Sequence, residues 1–535
     1  MQASPQAPAT PSSRFNSVLE KPFLFRTLLF CVIAGVLAAL WIPLAPTRLF
    51  DFDAANFALA LDYFAPAAHQ PQPPGYPLYV GLTKLIHLLV SDVAATFLIA
   101  GLLGSAAAIL LLYLLGEKMF GWQAGMVAAL LLMSNPILWQ TAMSDQVRIF
   151  IAVISIGVAL ALWPLYQRPN IDMHAPRRLA TAGFLLGLLA GFRPEMLVSM
   201  APLLLFAGVR SRLKFGHYLV SALAVCAGMA PWFIFLLVRV GGVSGFLAMM
   251  RIYSAEQAGK SSLLFGASWA GAWKMFSEAL WWASLGVVSW IPFLLLIGWK
   301  KVATVRKGQT LFLSIWFLSL FLFSIIVHIA ASGHSLGFVP ILCLAGGWTV
   351  AAVGASRGRL LMIACLLAAV SLNVWFFFYP YSRSVREASF ETVGGIGSIN
   401  ENALDRIDAI TRRRAAYIVS DGTWVSWRIL QYYYPNNQLL YIPAPLAPPD
   451  TKLPVWLIRD RLRVRDLDPN SELALPSCPT IIWLVGDYRA KQALLAVDGA
   501  DADQYFITTP PQAGLHVKVG RYRLATSPDP CVRPH

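Results

Sequence analysis

The sequence predicts an α-helical polytopic membrane protein with a small α/β domain at its C-terminus. Three observations predict it. The 535 residues are 57% hydrophobic and only 13% charged, whereas a soluble globular chain is about 25% charged. The apolar residues recur between Phe23 and Pro380 in runs of roughly 20, the length that crosses a bilayer. From Tyr381 onward the composition becomes that of a soluble domain, with 18 Lys+Arg against 16 Asp+Glu.

The chain divides accordingly. Residues 1–22, rich in Pro, Ser, Ala and Gln, read as a disordered cytoplasmic leader. Residues 23–380 form the membrane domain. About eleven spans are expected, at 24–44, 93–115, 122–142, 147–166, 179–192, 196–209, 217–240, 278–299, 309–330, 335–353 and 359–380. The two around 179–209 are short, and one broken hairpin is the alternative. "FCVIAGVLAALWIPLAP" is long enough to span and no small-residue cleavage site follows it, so it reads as a retained helix rather than a signal peptide.

Charge sets the orientation. The formal charge is +15, from 42 Lys+Arg and 27 Asp+Glu, and most of the excess lies in the membrane half. With a cytoplasmic N-terminus, alternation places "GEKMFG", "QRPNIDMHAPRR", "RSRLK", "KKVATVRK" and "SRGR" inside, and nearly all are net basic. Scattered basic loops of this kind do not point to nucleic acid. The scheme requires that "GYPLYVGLTKLIHLLV" not cross. It is short, holds Lys84 and His87, and reads as a helix at the outer interface within a first outer loop over 45–92.

The tail, 381–535, then lies outside. It alternates strand-like runs ("AAYIVS", "QLLYIP", "TIIWLVGD", "LHVKVGRYRLA") with a helical one ("TWVSWRILQYYY"). It holds no Gly-rich phosphate loop, no HExxH and no GxSxG. Of six cysteines none has zinc-like spacing, and Cys478 and Cys531 could pair if the tail meets an oxidising compartment.

Ionisable residues in or beside spans are costly and are functional candidates by default. On this topology the outer candidates are Asp51, Asp53, Asp62 and His69 in the first loop, Asp145 and Arg148 in the second, then Arg193 and Glu195, Arg251, Tyr253 and Lys260, and His328 and His334. Each has a plainer alternative. Asp53 and Asp145 stand where helix caps stand. His69 precedes a proline cluster and could be a turn residue, and Arg193 could pair internally with Glu195. Arg148 could snorkel at the interface. Arg251 and Lys260 could meet lipid headgroups.

The inventory suits transfer of a sugar from a lipid phosphate. An acceptor hydroxyl needs a carboxylate to take its proton. The departing phosphate needs positive charge, for which the planar guanidinium fork is well shaped. A transporter or flippase of lipid-linked sugars is the alternative. It would place its polar residues near the midplane on broken, repeated helices, and no repeated half is visible.

"DFDAANFALALDYF…HQPQPPGYPLY" resembles the first outer loop of the C-type membrane glycosyltransferases (GT-C fold), and within them the bacterial protein O-mannosyltransferase-like families. Their loop runs from an acidic residue to a His-Pro-Pro-Gly-Tyr-Pro-Leu-Tyr-type motif, here His69, "QPQ" and Pro73 to Tyr79. "SDQVRIF" is similar to the second-loop acidic motif, with Asp145 at the acidic position, and "GLLAGFRPE" to the segment with a basic residue, here Arg193. The resemblance covers roughly 24–380 in layout and is specific in the first loop.

It implies a polyprenyl-phosphate sugar donor, hexosyl or pentosyl transfer with inversion, and catalysis on the outer face of a bacterial inner membrane. The acceptor would be a lipid, protein or polysaccharide. Asp53, or else Asp51, would be the base. Asp145, His69 and Tyr76 would bind the acceptor or another part of the substrate. Arg148, Arg193, Lys260 and His334 would hold the donor phosphate. No metal is expected for a monophosphate donor, and a divalent cation, Mg or Mn, at Asp145 is the alternative. One departure is Asn56, three residues after Asp53, where family members often carry a second acidic residue. It leaves the choice between Asp51 and Asp53 open, with Asp53 preferred because "DAANFALA" aligns best.

Overall fold

The computed structural model describes residues 22–167, 174–254, 266, 268–297, 307–326, 331–413, 416–435, 438–442, 472–503, 506–519 and 522–528. It separates into two compact units. One comprises Met1–Leu44, Phe97–Phe233 and Ser254–Phe390; the other comprises Ala45–Thr96, Ile234–Tyr253 and Glu391–His535.

The first unit is a helical bundle. Among the described residues seven helices are long and apolar enough to cross a membrane: Leu24–Trp41, Val93–Phe120, Gln146–Gln167, Phe215–Val240, Gly308–Ile326, Val339–Arg357 and Arg359–Phe378. An eighth span is possible if Trp122–Met133 and Pro136–Ser144, bent by 51°, count as one. The bend has a local cause. Asn135 takes the cap position, with Oδ1 accepting the Ile137 N–H at 3.0 Å, and Pro136 has no N–H to continue the preceding helix.

Eleven spans were expected, and three of those segments differ. Ala175–Leu189 and Met196–Arg210 are helices of 15 residues each. At about 1.5 Å per residue they fall short of a ~30 Å hydrocarbon core. The expected span at 278–299 is instead a helix over Trp269–Val287 that carries Lys274 and Glu278. It gives way to a 3-10 turn, Ile291–Leu296, with Pro292 near its start.

Small residues let bundle helices meet backbone to backbone. A Cβ on Gly187 would lie 2.1 Å from the Val225 carbonyl oxygen, and one on Gly228 would lie 2.2 Å from that of Phe184. Buried polar groups also pair between helices and turns of the bundle. Trp316 Nε1 donates to Ser155 Oγ at 2.8 Å, and Ser155 Oγ donates to the Gly337 carbonyl at 2.8 Å.

The second unit is α/β, as expected. Its larger sheet has the order β2-β1-β4-β6-β5. β1 (Ala416–Ser420) runs parallel to β2 (Gln438–Tyr441) and β4 (Thr480–Leu484). β6 (Phe506–Thr509) is antiparallel to β4 and to β5 (Asp501–Asp503). A smaller sheet orders β3 (Glu472–Leu475), β8 (Tyr522–Thr526) and β7 (His516–Val519) as β3-β8-β7. β4 is buried throughout, as its unbroken apolar run "TIIWL" requires of a central strand. Trp483, Ile481, Val419, Leu440 and Ile507 lie in the core.

This unit also holds the first loop. Helix Phe52–Asp62 follows Arg48–Asp51, and helix Pro77–His87 ends the proline cluster. At 11 residues the latter spans only about 17 Å, too short to cross. Leu85, Leu88 and Leu89 are exposed at its end.

Candidate active site

Within the second unit the acidic loop is organised by its own polar groups. Asp51 is the N-cap of helix Phe52–Asp62, and its Oδ1 accepts the Ala54 N–H at 2.8 Å. Asp53 stands in the first turn. The cap weighed for Asp53 is made by Asp51, because the helix starts at Phe52, two residues before Ala54.

His69 and Tyr76 are left-handed, at φ 53° and 46°. Such conformations cost non-glycine residues roughly 1–2 kcal/mol and cluster in functional loops. Both side chains are buried. The Tyr76 ring packs 5.7 Å from Phe57, and the His69 ring lies 6.2 Å from Tyr253. Burial, then the Arg428 guanidinium, pushes the His69 pKa down to about 3. Both residues pack inside the loop, and the imidazole of His69 is neutral at neutral pH.

A residue that sequence reasoning missed completes this part. Arg428 is 2% exposed. Its Nε donates to Asn56 Oδ1 at 2.8 Å, Nη1 to Gln431 Oε1 at 2.7 Å, and Nη2 to the carbonyls of Ala68 at 2.7 Å and His69 at 3.3 Å. Burial lowers its pKa to about 10, which leaves it cationic at neutral pH. The one available signal was a single charge inside the apolar run "WVSWRILQYYY".

The first unit holds a separate polar group. The junction between helices Pro136–Ser144 and Ile149–Gln167 is a 3-10 turn, Gln146–Arg148, preceded by Asp145. Asp145 makes no side-chain cap to that turn; its Oδ2 lies 2.5 Å from Arg148 Nη1. A second turn, Ser332–Gly337, lies directly on Arg148, since a Cβ on Gly333 would be 2.7 Å from Arg148 Cδ. That turn carries His334, whose Nε2 is 3.0 Å from Arg193 Nη2. A guanidinium only donates, so His334 Nε2 accepts.

Arg193 is 3% exposed, and its Nε donates to Glu195 Oε1 at 2.6 Å. The internal pair weighed for Arg193 is present. Ser332 Oγ is 2.7 Å from Glu387 Oε1 and 3.1 Å from Gln140 Oε1.

Asp145, Arg148, Arg193, Glu195 and His334 are thus brought together. Chemically this is a nearly charge-balanced cluster in which each arginine already holds a carboxylate. An incoming phosphate would compete with Asp145 for Arg148, the more exposed of the two arginines at 21%. Among the described residues no group of three or more His, Cys, Asp and Glu side chains could hold a metal ion. Lys260, His328 and Cys531 lie outside the described residues.

No family model and no curated protein matches the chain. Solved structures do. ArnT from Cupriavidus metallidurans bound to undecaprenyl phosphate superposes at TM-score 0.58 and 13% identity, covering 90% of this chain and 97% of that one. Its apo form gives 0.57 and 14%, with the same coverage. An oligosaccharyltransferase from Archaeoglobus fulgidus, tethered to an acceptor peptide, gives 0.43 and 14% over 69% of this chain and 55% of that one, too distant in shape to bear on function. The chain is a multi-pass membrane protein with an ArnT-like GT-C fold and a small C-terminal strand-containing domain.

Proposed function

We propose that the protein moves a hexose or pentose from a polyprenyl-phosphate donor to an acceptor hydroxyl on the outer face of a bacterial inner membrane, with inversion. The fold supports this, because the ArnT structure of the same architecture holds undecaprenyl phosphate. The observation that carries it is the acidic helix start, where Asp51 is committed to the cap and Asp53 in the first turn is assigned as the base.

In the proposed step the acceptor O–H gives its proton to the Asp53 carboxylate. The oxygen bonds to the anomeric carbon from the face opposite the phosphate. The bond from that carbon to the phosphate oxygen breaks, and its electron pair leaves with the polyprenyl phosphate. Arg148 is assigned to that phosphate from the sequence, because positive charge is needed where negative charge develops. Arg193 and His334 keep the turn that lies on Arg148 in place. Lys260 is assigned to the same phosphate from the sequence. Asp145, released from Arg148, orients the acceptor. The tail, on the periplasmic side, selects the acceptor.

The reading is tested by mass spectrometry of envelope glycans and extracellular glycoproteins from cells lacking the protein and from the complemented strain. One defined sugar modification should vanish and return. An unchanged profile contradicts it.

A further inference from the structure

The tail domain grips the acidic helix on both sides of Asp53. Trp427 packs edge-to-face on Phe52, with ring centroids 5.7 Å apart. The next residue, Arg428, holds Asn56 through Nε at 2.8 Å. Phe52 immediately precedes Asp53, and Asn56 lies one turn beyond it on the same face. The same guanidinium holds the far limb of the loop through the carbonyls of Ala68 and His69. The helix that carries both residues, Trp427–Tyr433, reaches the near limb as well, because Tyr433 Oη accepts the Leu49 N–H at 3.1 Å.

We propose that Arg428 is a positioning residue. Its planar fork fixes the rotation of helix Phe52–Asp62, and with it the direction of the Asp53 carboxylate. Burying a guanidinium is costly, and an apolar side chain would fill the space more cheaply. What arginine adds is a rigid set of donors that meets Asn56, Gln431 and the Ala68 carbonyl at once, which a lysine ammonium on a flexible stem does not reproduce. The C-terminal domain is then part of the catalytic apparatus as well as a selector of acceptors. This inference rests on the reading of Asp53 as a base.

The test compares Arg428→Lys and Arg428→Ala with wild type in the full-length protein, purified in detergent. Hydrogen exchange followed by mass spectrometry needs no assumption about function. Amides of 52–62 and 67–70 should exchange at least ~10-fold faster in both variants, with those of β1 and β4 unchanged. Transfer of the sugar identified by the deletion strain should fall roughly 10- to 100-fold, the usual effect of misaiming a reactive group. Added guanidinium chloride at millimolar concentration should restore part of the transfer to Arg428→Ala and none to Asp53→Asn, which ties the loss to the missing fork.

Unchanged exchange in 52–62, or transfer within twofold of wild type, overturns the proposal. If Arg428→Ala does not fold, Arg428→Lys decides by the same exchange measurement. If wild type transfers no sugar, the functional reading fails, and the exchange result still decides whether Arg428 holds the helix.

Discussion

Asp51 Oδ1 accepts the backbone N–H of Ala54 at 2.8 Å, which makes Asp51 the cap of the helix that carries Asp53. Replacing Asp51 by Ser keeps a capping oxygen, and both stability and transfer should stay close to wild type. Asp51→Ala should cost about 1 kcal/mol of stability, the usual value of an N-cap. Thermal unfolding of the purified variants checks the cap. If Asp51→Ser abolishes transfer while the fold is intact, Asp51 is the base.

Arg148 and Asp145 are 2.5 Å apart, with side chains 21% and 10% exposed. If this arginine receives the donor phosphate, Arg148→Lys should keep the charge and lose the fork. The expected result is an apparent KM for the lipid donor raised on the order of tenfold, about 1.4 kcal/mol, with a smaller change in kcat. Steady-state kinetics with varied donor checks it. An unchanged KM removes Arg148 from the phosphate site.

Arg193 and Glu195 form the more buried pair. Breaking such a pair leaves an uncompensated charge and typically costs 3–5 kcal/mol, whereas replacing both partners with apolar residues is far cheaper. Glu195→Ala should therefore destabilise by about 3 kcal/mol, and Arg193→Met/Glu195→Leu by clearly less. A double-mutant cycle of unfolding midpoints measures the coupling, and additive losses would contradict the pairing.

His69 makes stability depend on pH. Its pKa is pushed from 6.5 to about 3 in the folded protein, by burial and then by Arg428. The unfolded chain therefore binds the proton first on acidification. The contribution is fully present above pH 6.5 and is lost as pH falls toward 3. By pH 5 the loss is on the order of 2 kcal/mol. His69→Asn removes the titration and tolerates the left-handed φ of 53°. Between pH 7.5 and 5 its unfolding temperature should fall less than that of wild type.

Much of this architecture is legible from residue periodicity. Apolar runs locate the long helices, and the strand-like runs "AAYIVS" and "TIIWLVGD" locate β1 and β4. What escapes has physical reasons. Helix Phe390–Thr411 contains "VGGIGSIN", whose glycines lower helix propensity, so packing rather than local preference makes it a helix. The short helices over 175–210 look like spans because their apolar stripes resemble those of longer ones. In the site, local features such as the acidic loop can be read directly. The partners of Arg428 cannot, since Asn56 is 372 residues away in sequence. Asn56 looked like a mere departure from a family pattern, while the structure gives it a hydrogen-bonding duty.

The most direct test of the central claim is the glycan profile of a strain carrying Asp53→Asn. The variant's membrane level should be matched to wild type by quantitative immunoblot. Loss of a general base slows proton transfer by roughly 10²- to 10⁴-fold. The sugar that disappears in the deletion strain should therefore also be absent in the point mutant, with its lipid-linked donor accumulating. If that sugar persists at the wild-type level, Asp53 is not the base and the proposed chemistry is wrong.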